Sequence, residues 1–195
     1  MRWLVILFVL TGAVASARHA SDQALARRLA DPNTRESAVA EVVSSGNRKV
    51  PLLLSWTRKP PAGIGNSYEQ YQLYVGLADV FGELRTEAAI PFLIKYIGID
   101  RTPMGNSWMK TPNVVEHRMA AVKALMRIGK VASLAVIQAS SDGHMTGEDR
   151  LAAIYVVSSV RDVPEARIFL YEALGEANLQ RHWAEDGISS LEGGH

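Results

Sequence analysis

Between residues 117 and 140 the chain reads HRMAAVKALMRIGKVASLAVIQAS, and its apolar positions recur at helical spacing. Val122, Leu125, Met126 and Gly129 stand at i, i+3, i+4 and i+7, one face of a helix. Gly129 and Lys130 break the stripe, and Val131, Leu134 and Ala135 restart it, which predicts two short helices joined by a tight turn. The same pattern recurs over 31–57, 67–97 and 146–176. In the first of these, Asp31 is the expected N-cap with Pro32 at the first helical position. Val39, Val42, Val43 and Gly46 form the stripe, and a second helix follows with Pro51 in its first turn. In the next, Ser67 and Gln70 form a capping-box pair, a helix runs to about Gly82, and AAIPFLIKYI is its partner. In the last, Thr146 and Asp149 cap RLAAIYVVSSV, and VPEARIFLYEAL follows. The β-branched run IYVVSSV competes as a strand. The cap before it and the helical partner after it predict a helix.

The second helices align by their starts: Val50-Pro51, Ile90-Pro91, Val131-Ala132 and Val163-Pro164. At an offset of 40, VPLLLSW lies over IPFLIKY, and at that same offset GNSY (65–68) lies over GNSW (105–108). A period near 40 with two helices per unit has a physical meaning. One hairpin cannot bury its own apolar face, so units stack and bury it against each other as a solenoid. The alanine-rich RMAAVKALMRIGKVASLAVI, with its Ile128-Gly129 turn, and EAAIPFLIKYI, with its Ile-Pro start, resemble HEAT repeats. The resemblance covers roughly 31–177. It implies an all-α fold, a right-handed superhelix of about four hairpins at approximately 31–57, 67–97, 113–140 and 146–176. Only the third unit keeps the Ile-Gly turn; Ser45-Gly46, Glu83-Leu84 and Val160-Arg161 stand in its place elsewhere.

Residues 1–17, MRWLVILFVLTGAVASA, have the marks of a secretory signal peptide: Arg2, an apolar run of about a dozen residues, and the small-x-small site Ala15-Ser16-Ala17. A membrane span needs about 20 apolar residues. The expectation is a protein exported to the periplasm or secreted, of bacterial type, with 18–195 as a single domain and no transmembrane segment after cleavage. Arg2 is the leader's only charge, so the remainder carries 20 basic and 20 acidic residues. That balance argues against nucleic acid, whose binders need clustered Lys and Arg. Cysteine is absent, which removes disulfides, thiol nucleophiles and Cys-type metal sites.

Catalytic chemistry is not legible. His19, His117, His144, His182 and His195 show no paired metal-ligand spacing. No serine elbow is present, and Gly63-x-Gly65 lacks the third glycine of a phosphate loop. No catalytic residue, metal or cofactor is therefore assigned. Asp142, His144, Glu148 and Asp149 read as a polar turn, and Lys123, Arg127 and Lys130 as a solvated face. The long connections are more informative, because helix–helix links usually run 2–8 residues. TRKPPAGIGN follows Trp56, and GIDRTPMGNSWMKTPN follows Ile97. They offer Arg58, Lys59, Tyr68, Arg101 and Trp108, the residue types of binding hot spots. Trp56 and Tyr96 mark a second candidate surface on the second helices. The resemblance implies an extended surface for a protein or peptide partner, so the expected function is a non-catalytic interaction scaffold or adaptor in the cell envelope. The alternatives are an enzyme or accessory subunit with a lyase-like pocket, built from His117 or His144 with Asp142, and a module that only oligomerises.

Overall fold

The computed structural model describes residues 20–99, 101, 119–143, 145, 147–160, 163–174 and 184–189. The fold is all-α, and no strand occurs among the described residues. The helices are α1 (20–30), α2 (Arg35–Ser44), α3 (Val50–Arg58), α4 (Ser67–Glu83), α5 (Ile90–Lys95), α6 (Ala120–Ile128), α7 (Lys130–Ser141), α8 (Gly147–Ser158), α9 (Pro164–Leu174) and α10 (184–189). The IYVVSSV run is helical through Ser158, within α8. The leader, all five histidines, Thr146, Trp108 and Lys110 lie outside the described residues.

Several helix starts differ from the sequence reading. Pro32 does not open α2. The Asp31 carboxylate accepts from the Asn33 N–H at 3.0 Å, closing an Asx turn, and the helix begins three residues later at Arg35. The Thr34 hydroxyl donates to the Arg28 carbonyl at 2.9 Å, which ties this turn to the end of α1. At α4 the cap is Asn66 rather than Ser67. Its side chain accepts from the Glu69 N–H at 2.8 Å, and the Glu69 carboxylate accepts from the Gly65 N–H at 2.7 Å. The cap thus sits one residue earlier than the spacing suggested, and Glu69 reaches back past it to Gly65 rather than closing a reciprocal capping box with the Asn66 N–H. Both α3 and α5 follow a short 3-10 turn, Gly46–Lys49 and Glu87–Ala89, and both carry proline in their first turn. The internal likeness of VPLLLSW and IPFLIKY is thus also a likeness of local backbone.

Helix α4 ends without glycine. The Thr86 N–H reaches the Phe81 carbonyl at 2.9 Å and the Arg85 N–H the Gly82 carbonyl at 3.2 Å. These are the two bonds of a Schellman motif, with Arg85 at φ 50° in the position that glycine usually takes.

Packing follows chain order. The first helices of successive pairs touch in sequence, α2 on α4, α4 on α6 and α6 on α8, while α5 packs on α7 and α7 on α9. Within pairs, α6 packs on α7 and α8 on α9; between pairs, α3 packs on α4, α5 on α6 and α7 on α8. The core runs through all of them, and α4 is its centre: Leu73, Val75, Leu77, Ala78, Val80 and Phe81 are fully buried. Each fully buried Leu or Phe contributes roughly 1.5–3 kcal/mol against exposure. Two glycines let α4 approach its neighbours. A Cβ on Gly76 would stand 2.5 Å from the Leu29 carbonyl oxygen of α1, and one on Gly82 would stand 2.8 Å from the Ala124 Cα of α6. Of the basic stripe on α6 and α7, Lys130 is exposed, whereas Arg127 forms an ion pair with Glu83 of α4.

Candidate functional site

An open groove of about 810 Å³ lies among α3, α4 and α5. Three helices build it, each with residues at i and i+4. Leu54 and Arg58 come from α3, Gln70 and Tyr74 from α4, and Phe92 and Tyr96 from α5 and its C-cap. Residues four apart lie on one face of a helix, so each helix turns one strip of side chain toward a shared space. Thr57, Ala88, Pro91 and Lys95 complete the walls.

Its floor is aromatic. Tyr74 meets Phe92 edge to face at 5.5 Å between ring centres, Tyr74 and Tyr96 are 4.8 Å apart, and Phe92 and Tyr96 are 5.1 Å apart. Phe92 continues the cluster inward to buried Phe81, at 6.0 Å. The floor is therefore anchored in the core and rigid. Gln70 donates to the Tyr74 hydroxyl at 2.7 Å. Burial pushes the Tyr96 phenol above its ordinary value, and neighbouring Tyr74 adds to the rise.

The rim is cationic. Arg58 and Lys95 are exposed, and no carboxylate among the described residues lines the groove. The Lys95 ammonium lies over the Tyr96 ring, 5.4 Å from its centre, at cation–π distance. Among the described residues neither Arg58 nor Lys95 has an acidic partner.

The residues singled out from sequence are thus divided. Arg58 and Tyr96 meet in the groove. Trp56 and Lys59 line a different cleft of about 400 Å³, against Asp22 and Gln23 of α1 and the Pro60-Pro61 loop. There Trp56 is buried and serves packing more than contact with a partner. Tyr68 stands exposed in the first turn of α4 and does not line the groove. Arg101 is held by Asp79 of α4 in a two-pronged ion pair. Trp108 lies outside the described residues. Tyr74, Phe92, Gln70 and Lys95 were not singled out from sequence, although their i, i+4 spacing was visible.

A second, charged cleft of about 410 Å³ lies between α2, α4 and α6. Arg35, 6% exposed, donates to the Leu29 carbonyl at 3.1 Å and to the Gln72 side-chain oxygen. Burial lowers its pKa, and the nearby Asp79 carboxylate opposes that shift. Asp79 is bound to Arg101 and Glu83 to Arg127, while Glu36 and Lys123 line the cleft without an ion pair among the described residues.

Among the described residues no cluster of His, Asp and Glu could hold a metal ion. No described helix is long and apolar enough to cross a membrane. No family model, no curated protein and no solved structure matches this chain.

Proposed function

We propose that this protein is a non-catalytic interaction scaffold, a HEAT-like α-solenoid of about four hairpins, exported to the cell envelope and binding a protein or peptide partner in the groove between α3 and α5. One observation carries the binding site: a rigid aromatic floor, open to solvent, flanked by two cations without acidic partners. Aromatic rings and arginine are the residues that concentrate binding energy at interfaces. Among the described residues the groove lining is aromatic, apolar and cationic, which supports binding. The stacking of α2, α4, α6 and α8 in chain order, with α5, α7 and α9 alongside, supports the solenoid reading. Residues 1–17 support export.

The test is position-specific photocrosslinking in the native envelope. A crosslinking residue replacing Thr57 or Ala88, on two walls of the groove, should give the same adduct. The same residue replacing Glu36, in the charged cleft, should not. Adducts independent of position, or none from the groove, would overturn the site.

A purely oligomerising role has one observation in its favour. Ile168 is 60% exposed and Tyr171 54% exposed on α9. Light scattering across a dilution series, with Ile168→Ser and Tyr171→Ser beside the parent, decides it. Assembly that dissolves in these variants would favour the oligomer, and a monomer throughout would remove that reading.

A further inference from the structure

The groove's chemistry constrains its occupant. Among the described residues, the charged side chains at its edge are both basic, Arg58 and Lys95. Elsewhere four described cations are paired with carboxylates: Arg28 and Lys49 with Glu41, Arg101 with Asp79, Arg127 with Glu83. Arg58 and Lys95 instead project beside an apolar floor with nothing acidic to satisfy them. Lys95 is positioned over Tyr96, and Arg58 ends α3. A guanidinium offers a planar fork matched to a carboxylate, and an ammonium offers a point charge.

Resting on the binding reading above, we infer that the groove takes an acidic peptide segment: carboxylates of the partner pair with Arg58 and Lys95, while an apolar or aromatic side chain between them packs on Tyr74, Phe92 and Tyr96. Charge complementarity selects this partner. A basic segment would meet two cations and no counter-charge, and a neutral one would leave both unanswered. Burial raises the Tyr96 phenol above its ordinary value, so it puts no negative charge in the way. The groove is open and walled by three helices, and about 810 Å³ accommodates a short stretch of chain.

The experiment is selection from a displayed library of random octapeptides against the purified full chain. The parent should enrich sequences joining Asp or Glu to Leu, Phe or Tyr. The best peptide, measured by fluorescence anisotropy, should lose about tenfold in affinity or more with the Arg58→Ala/Lys95→Ala pair, since a charge-assisted bond is worth about a factor of ten. Its Asn/Gln counterpart should lose as much. Raising the salt concentration should weaken the parent's binding. The double reversal Arg58→Glu/Lys95→Glu should enrich basic peptides instead, an outcome that misfolding cannot produce. Lys130→Ala, on α7, should leave affinity unchanged. Enrichment of neutral or basic peptides that still depends on Tyr96 would overturn the acidic partner and keep the groove as a site. Enrichment insensitive to Arg58, Lys95 and Tyr96 alike would overturn both.

Discussion

The two flanks of α4 use the same kinds of residue to opposite ends. On one flank Gln70 and Tyr74 face the aromatic groove; on the other Asp79 and Glu83 face the charged cleft. Gln70 and Asp79 are nine residues apart, as are Tyr74 and Glu83, which places each pair roughly 180° apart at about 100° per residue. In the cleft every arginine has a partner: Arg35 a carbonyl and an amide oxygen, Arg101 the Asp79 carboxylate. In the groove Arg58 and Lys95 have no acidic partner. A cation committed to its own fold stabilises or specifies it; a cation left over beside an apolar floor is available to something else. The cleft therefore reads as a structural fastening of α2, α4 and the segment at Arg101, and the groove is the surface proposed for binding.

Gly76→Ala should have the largest effect and should break both flanks together. The new Cβ meets the Leu29 carbonyl oxygen at 2.5 Å, so α1 and α4 must separate. The expected loss is about 3 kcal/mol, read from urea unfolding. Arg35→Ala attacks the cleft alone. It strands the Leu29 carbonyl and Gln72, whose side-chain nitrogen already lacks a partner while buried. The expected loss is about 2 kcal/mol, with peptide affinity in the groove unaltered. Arg85→Gly runs the other way: relieving a positive φ at the Schellman position should stabilise by about 1 kcal/mol.

The smallest effects sharpen the contrast most. The Arg28 hydrogen bond holds the Glu41 carboxyl below its ordinary range. A depressed folded pKa means the contribution is fully present above the unfolded value and lost as pH falls through the folded one. Thermal melts from pH 7 down to 3 should therefore show a parent–Glu41→Gln difference that disappears in acid. For a pair this exposed it is at most about 0.5 kcal/mol. Arg58→Ala and Lys95→Ala should each change stability by less than about 0.5 kcal/mol. A loss of about 2 kcal/mol at either would mean that the groove's cations are structural too, and the difference between the flanks would collapse.

Helix existence was legible along most of the chain because a 3.6-residue apolar stripe, Gly129, and the prolines at 51, 91 and 164 are local signals. Boundaries were less so. Asp31 and Ser67 are both plausible caps by residue type, but Asp31 closes an Asx turn with Asn33 before the helix, and Asn66 takes the cap of α4 by accepting from the Glu69 N–H in its first turn. Of the groove's lining, Arg58 and Tyr96 are singled out by residue chemistry, while Trp56, an equally good hot-spot residue type, is buried in another cleft.

What this chain's sequence determined by itself is a series of short amphipathic helices and the i, i+4 strips on each. A strip depends only on spacing within one helix. Which strips face one another, and which cations find carboxylates, was decided only by the tertiary structure. Asp79 and Arg101 are 22 residues apart, and the Arg58, Tyr74 and Tyr96 strips come from three helices. Their meeting depends on how closely α4 seats against its neighbours, at Gly76 and Gly82, where two backbones come near enough that no side chain fits between them.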